Sequence, residues 1–223
     1  MQPIRTLAQL EQAIEDIGFL PYAGDEKRSL FTLSAMTDNA WFDGSDADPW
    51  VWRAEIAKKG AQAYGKFFQH KAGFVSRRCI PAFIAVRRDN RSLDELYADG
   101  VVSRGALQVW RCFEQRVEWT FQDLKRESGF SGQSRAFEAA VTELQGLFFV
   151  CISGQSHRIS RAGEPYGWPN NDFGRMDVLF PTPEGGQMEP EEAEAYLLDC
   201  IRTVGDFPEK TALRLLRSGG VRG

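Results

Sequence analysis

At 223 residues the chain has room for one large domain or two small ones, and its 43% hydrophobic and 12% aromatic content can fill a buried core. No apolar run approaches the roughly 18 residues of a membrane helix. The start "MQPIRTLAQLEQAIEDIGF" also lacks the basic-then-apolar pattern of a signal peptide, so a cytoplasmic protein without a membrane partner is expected. The formal net charge of −4 is unevenly placed: residues 1–49 carry −6, residues 50–91 carry +8 from ten Lys/Arg against two Asp/Glu, and residues 162–223 carry −5. That is a local electrostatic footprint rather than a basic protein.

The same composition excludes most cofactor chemistry. Cys79, Cys112, Cys151 and Cys200 are far apart, form no CxxC pair and read as buried reduced thiols. With only His70 and His157 beside them, neither a zinc site nor a Cys–His dyad is expected. No GxxxxGK[ST] loop and no GxGxxG follows a strand. The expectation is a protein with no cofactor and no metal.

In chain order, "TLAQLEQAIEDIGF" opens on Thr6 as N-cap with Gln9 three places on, repeats Leu7, Leu10, Ile14 and Ile17 at helical spacing, and stops at Gly18. "DEKRSLFTLSAMTDNAWFDGSDADP" predicts an exposed turn, a strand-like piece and an acidic loop. From Pro49 the period becomes two. "WVWRAEI", "AQAYGKFF" and "FVS", with turns at "KKG" and "QHKAG", predict a small antiparallel meander, although "RAEIAKKGAQAYG" also suits a helix. Phe67 and Phe68 alternate along this pattern, so one ring is expected in the core and the other free. "RRCIPAFIAVRRD" reads as a helix with Pro81 in its first turn, and "RSLDELYADG" as a short helix capped by Ser92 and Glu95.

The next stretch carries the fold. "SRGALQVWRCFEQR" predicts a helix burying Leu107, Trp110 and either Val109 or Phe113; "VEW" is a connector; "TFQDLKRESG" is a helix capped by Thr120. "FSGQSRAFEAAVTELQG" is a third helix with Phe137, Val141 and Leu144 inward, and "LFFVCISGQSHRISR" a strand, a turn and a strand. Helix, connector, helix, helix, hairpin is the order of a winged helix. "PYGWPNNDFGRMDVLFPTPEGG" reads as a packed loop or linker, followed by helices "EPEEAEAYLLDCIRTVG", with Pro190 in its first turn, and "PEKTALRLLRSGG". The predicted class is α+β: a winged helix (helix-turn-helix with a β-hairpin wing) plus a small antiparallel sheet subdomain and C-terminal helices. The expected division is 1–102, 103–161 and 162–223.

The winged-helix run, with "PWVWRAEI", "AYGKFFQHKAGFVS" and "PYGW", resembles a bacterial winged-helix family related to the AlkZ/YcaQ DNA glycosylases. The resemblance spans roughly residues 41–168. It implies tandem winged helices with a β-barrel in the glycosylases themselves, and removal of bulky alkylated purines with unhooking of crosslinks. It also implies a Gln-x-Gln pair that positions the attacking water. No two glutamines of this chain are two apart, so the resemblance carries over no catalytic residue.

The residues offer candidates of their own. Lys58, Lys59, Lys66, Lys71, Arg77 and Arg78, followed by Arg87, Arg88 and Arg91, are candidates for a salt-dependent phosphate-binding face; the alternative is pairing with the acidic ends. Gln133, Ser134 and Arg135 on the third helix suit base edges or phosphates, while Glu138 and Glu143 there would repel them. His157, Arg158 and Arg161 on the wing suit phosphate or minor-groove contact. Trp50, Trp52, Tyr64 and Phe68, with Trp41 and Phe67, are either a stacking platform for a base or the filling of the meander. Asp38 and Asp43 are the first carboxylates to consider as a general base, in a loop whose acids (Asp46 and Asp48 included) are ordinarily solvated. DNA is thus the expected partner, in a protein connected with repair of alkylated or crosslinked DNA. The alternatives are an N-glycosylase using a carboxylate and a non-catalytic module that binds a protein partner.

Overall fold

The structure is a computed structural model and describes residues 3–24, 31–160 and 162–221. The turn expected at the start of "DEKRSLFT" falls at 25–30, outside the described residues. Helix α1 (Leu7–Ile17) forms as its spacing predicts: Thr6 Oγ1 accepts the Gln9 N–H, Leu10, Ile14 and Ile17 are buried, and Gly18 at φ 101° ends it. The reciprocal arm of the cap lands one residue back, where Gln9 Oε1 accepts the Arg5 N–H at 2.8 Å. Strand β1 (Phe19–Pro21) and helix α2 (Leu33–Met36) follow.

The first expected strand of the meander is instead helix α3 (Pro49–Lys59). Asp48 caps it, Pro49 supplies a preset φ in its first turn, and Gly60 at φ 62° closes it. Those signals, with the good helix formers Ala54, Glu55 and Ala57, override the alternation of Trp50 and Trp52. The other two strands form as expected: β2 (Gln62–Phe68) and β3 (Lys71–Ser76) pair antiparallel around Gln69 and His70, both at positive φ (52° and 63°), the conformation that matches strand twist in a two-residue turn. A register shift between Gly65 and Phe68 breaks the alternation. Phe67 and Phe68 therefore both enter the core, 1% and 2% exposed. Phe67 stacks on Phe148 at 4.5 Å, Phe68 meets Phe83 edge-on, and Phe83 stacks on Phe148 at 5.0 Å. Neither ring is free.

A 3₁₀ turn at Arg77–Cys79 leads into α4 (Ile80–Arg88), then α5 (Leu93–Ala98) with the Ser92–Glu95 capping box complete. Next come α6 (Arg104–Cys112), β4 (Glu118–Trp119), α7 (Phe121–Glu127) and α8 (Ser134–Gly146). Thr120 caps α7, and Phe137, Val141 and Leu144 are buried on α8 as their spacing requires. On α6, Val109 and the following Phe113 are buried, whereas Leu107 and Trp110 only pack against the core edge.

The strand–turn–strand expected within 147–161 is one long strand, β5 (Val150–Ile159), and its partner β6 (Pro165–Arg175) lies in the stretch expected as a loop. Gly154 does not turn the chain; it sits opposite Asp172 at a register shift, and the reversal comes at Ser160–Glu164, where the Ser160 N–H donates to the Glu164 carbonyl at 2.8 Å. Helices α9 (Met176–Leu179), α10 (Pro190–Arg202) and α11 (Glu209–Arg217) close the chain. The fold is α+β. Among the described residues six strands form one antiparallel sheet in the order β1-β3-β2-β5-β6-β4, in which the pair Tyr64 opposite Ile152 joins the N-terminal hairpin to β5.

Candidate nucleic-acid interface

Much of the charge of the basic block is engaged within the protein. Arg87 is fully buried and donates to the carbonyls of Phe67, Leu215 and Gly146 at 2.9, 3.0 and 3.3 Å, tying β2, α11 and α8 to α4. Burial draws its guanidinium down to about 9, still charged at neutral pH. Arg88 lies 3.9 Å over the Phe149 ring, and Arg91 pairs with Asp99. Arg78 holds the C-terminal end of α1 through the Glu15 and Asp16 carbonyls and also reaches Tyr196 and Cys200. Arg77 donates to the Gly60 carbonyl at 2.8 Å and lies over Phe180. Lys59 pairs with Glu11 at 2.7 Å, one contact with the acidic N-terminal part. Lys58 and Lys71 are exposed, and Lys66 lines a cavity described below.

The rings and acids divide in the same way. Trp52, Tyr64 and Phe68 are core residues; Trp52 Nε1 donates to the Asp46 carbonyl at 2.8 Å, and Tyr64 packs on Phe74. Trp50 is half-buried, and Trp41 packs edge-on against Tyr22. Asp38 forms a two-pronged ion pair with Arg5, whose hydrogen bonds hold its carboxyl below the usual range. Asp43 is exposed and accepts the Ser45 N–H. Asp48 is the fully buried acid of this loop. Burial alone would raise its carboxyl, but N–H groups of Gly44, Trp50, Phe42 and Asp43 outweigh that and hold it low.

Helix α8 and the β5–β6 hairpin stand side by side. Gln133 occupies the N-cap of α8 without a side-chain cap, Ser134 Oγ accepts Lys125 Nζ at 2.6 Å, and Arg135 is exposed in a groove shared with His70. Glu143, expected to repel a phosphate backbone, is engaged: its carboxylate accepts the N–H and the hydroxyl of Ser103, the N-cap of α6. On the hairpin, His157 and Arg158 are exposed, with His157 Nδ1 3.1 Å from the Gly167 carbonyl. Arg161 lies outside the described residues. The hairpin also exposes Tyr166 (51%) and Trp168 (85%), which sequence reasoning assigned to a loop.

A cleft that no sequence pattern marked runs between α3, α8 and the hairpin. Its inner cavity, about 270 Å³, is lined by Trp50, Arg53, Lys66, Gln145, Asn170 and Asn171 among others; an outer cavity of about 500 Å³ adds Phe42, Asp43 and Trp168. Trp50, Arg53, Gln155 and Pro169 line both. Arg53, 7% exposed, stacks 3.6 Å over Trp50. The Gln155 amide oxygen, turned toward it, accepts from Nη1 and Nη2 at 3.0 and 3.3 Å. Arg53 was invisible in the sequence because one helical residue among ten Lys/Arg carries no mark of burial. The signal that existed was Trp50-x-x-Arg53, three apart, once residues 49–59 are taken as a helix.

The family model described as "AlkZ related" matches residues 4–217, nearly the whole chain. The chain belongs to the AlkZ-related family. No curated protein and no solved structure matches it. In this AlkZ-related chain the motifs that carried the resemblance do different jobs. "PWVWRAEI" builds the cleft helix and "AYGKFFQHKAGFVS" the hairpin that anchors the sheet, while "PYGW" forms the exposed start of β6.

Proposed function

We propose that this AlkZ-related protein is a DNA-binding winged-helix protein connected with the repair of alkylated or crosslinked DNA. The segment α6–β4–α7–α8–β5–β6 supports the winged-helix reading. Three helices alternate with a short strand, and the hairpin strand β6 pairs with β4 on its other edge, so the three strands run β5-β6-β4. The observation that supports this function is the exposure of the candidates: His157, Arg158, Tyr166 and Trp168 on the hairpin, and Gln133 and Arg135 at the start of α8. Cations on a hairpin suit phosphates and a groove, and exposed rings suit stacking. Of the basic block, Lys58 and Lys71 keep exposed ammonium groups and are the further contacts in this reading; Lys59, Arg77 and Arg78 contribute field rather than direct contact.

The test is fluorescence anisotropy with labelled duplex DNA at low and moderate salt. Binding is expected to weaken as salt rises, with a log–log slope of about −0.9 per phosphate neutralised. Arg158→Ala and Arg135→Ala are each expected to lower affinity across all sequences and to reduce that slope by about one. Affinity that is the same at both salt concentrations, or absent at both, refutes the reading.

A further inference from the structure

We infer that the cleft between α3, α8 and the β5–β6 hairpin is a binding site for a phosphorylated ring, a nucleotide unit whose phosphate meets Arg53 and Lys66. This goes beyond duplex binding by the hairpin and stands whether or not that occurs. It begins from a charge with no carboxylate partner among the described residues. Buried ionised groups are ordinarily paired, because removing a charge from water costs several kcal/mol unless something opposite meets it. Arg53 is buried, yet none of the ion pairs among the described residues includes it, its Nε has no hydrogen-bond partner, and the acceptor that faces it, the Gln155 amide, is neutral. Arg87 also lacks a carboxylate, but it is sealed among three carbonyls and lines neither cavity. Arg53 instead sits where the two cavities join, and Lys66 lines the inner one with it.

The lining describes the rest of the ligand. Trp50 offers a ring, and Asn170, Asn171 and Gln155 offer amide donors and acceptors of the kind that read heterocycle edges. At about 270 Å³ the inner cavity is just below the roughly 300 Å³ where drug-sized sites begin, which suits one ring with its substituents rather than a duplex. Glu138 also lines this cavity, but it is shared with the groove that holds Arg135 and His70. Asp43 and Asp48 line the outer cavity with Arg53, but the Asp48 carboxylate already accepts the Gly44 and Trp50 N–H groups and the Asp43 carboxylate the Ser45 N–H, so the phosphate is assigned to Arg53, whose Nε has no hydrogen-bond partner.

Free nucleotide and a nucleotide within a strand share this chemistry, so the experiment has an arm for each. The full chain is titrated with a nucleoside 5′-monophosphate, with the matching nucleoside lacking phosphate, and with a short single-stranded oligonucleotide, read by tryptophan fluorescence and by thermal shift. The monophosphate is expected to bind, the nucleoside at least about tenfold more weakly, and Arg53→Met to weaken the monophosphate at least about tenfold, the worth of a charge-assisted hydrogen bond. Binding of the monophosphate alone assigns the site to a free nucleotide; competition by the oligonucleotide assigns it to a strand. Either supports the proposal. Equal affinity for nucleoside and monophosphate overturns it, as does unchanged affinity in Arg53→Met or no binding of any probe. Should Arg53→Met fail to fold, Lys66→Met decides by the same tenfold criterion, because Lys66 is only partly buried.

Discussion

Replacing Asp48 with alanine tests how the cleft helix is held. Asp48 is fully buried, accepts the Trp50 N–H at 2.7 Å and the Gly44 N–H at 3.0 Å, and thereby caps α3 while closing the loop at 42–48. Losing an N-cap side chain costs about 0.5–2 kcal/mol, and each buried N–H left without an acceptor costs about 1–3. These terms overlap, so Asp48→Ala is expected to lose about 2–4 kcal/mol, or roughly 4–16 °C at about 2–4 °C per kcal/mol for a chain of this size. Asp48→Asn keeps one oxygen for Trp50 but turns an amide NH₂ toward Gly44, so about half that loss is expected. The folded carboxyl sits below its ordinary value of 3.8. Its contribution is therefore present above the unfolded value and disappears as pH falls through the lower folded one, and the gap between wild type and Asp48→Asn should narrow below about pH 4. Urea unfolding followed by circular dichroism, at neutral and acid pH, measures both effects. A loss under about 0.5 kcal/mol in Asp48→Ala, or a gap that widens in acid, would falsify the capping argument.

Two glycines should respond in opposite directions, and one thiol should stand out. A Cβ on Gly73 would lie 2.4 Å from a Phe68 ring carbon and 3.0 Å from the Leu20 carbonyl, so Gly73→Ala is expected to cost about 1–3 kcal/mol, whereas Gly105→Ala in α6, with nothing closer than 3.5 Å, should be neutral or gain up to about 1 kcal/mol. Thermal melts of the two variants check this, and equal shifts would refute it. At Cys200, the Cys79 thiol, Arg78 and Tyr196 draw the sulfur below the ordinary thiol range against the effect of burial. Alkylation by iodoacetamide followed by mass spectrometry should modify Cys200 ahead of Cys79, Cys112 and Cys151, with its rate rising at a lower pH than an ordinary thiol's; a rate no greater than that of Cys112 would count against the shift.

Local chemistry was legible wherever a cap, a period or a stop residue spoke for itself. Thr6, Ser92, Thr120 and Pro190 each start the helix the sequence predicts, and Phe137, Val141 and Leu144 face inward on α8 as their spacing requires. The order of elements from α6 to β5 was readable for the same reason, since each boundary carries its own signal. Where two local signals competed, the sequence alone left the outcome open: at residues 49–59 Asp48, Pro49 and Gly60 outweighed an alternation of tryptophans, and at Gly154 strand pairing outweighed the glycine. Burial of charge was not legible at all. Arg53, Arg87 and Lys66 belong to the same basic stretch, and only packing makes one a stacked guanidinium in a cleft, one a clamp on three carbonyls, and one a half-buried ammonium. Charge acts through space with a strength set by surrounding dielectric and partners. The sequence therefore determined how much positive charge this region holds, and the tertiary structure decided which of it remains for a ligand.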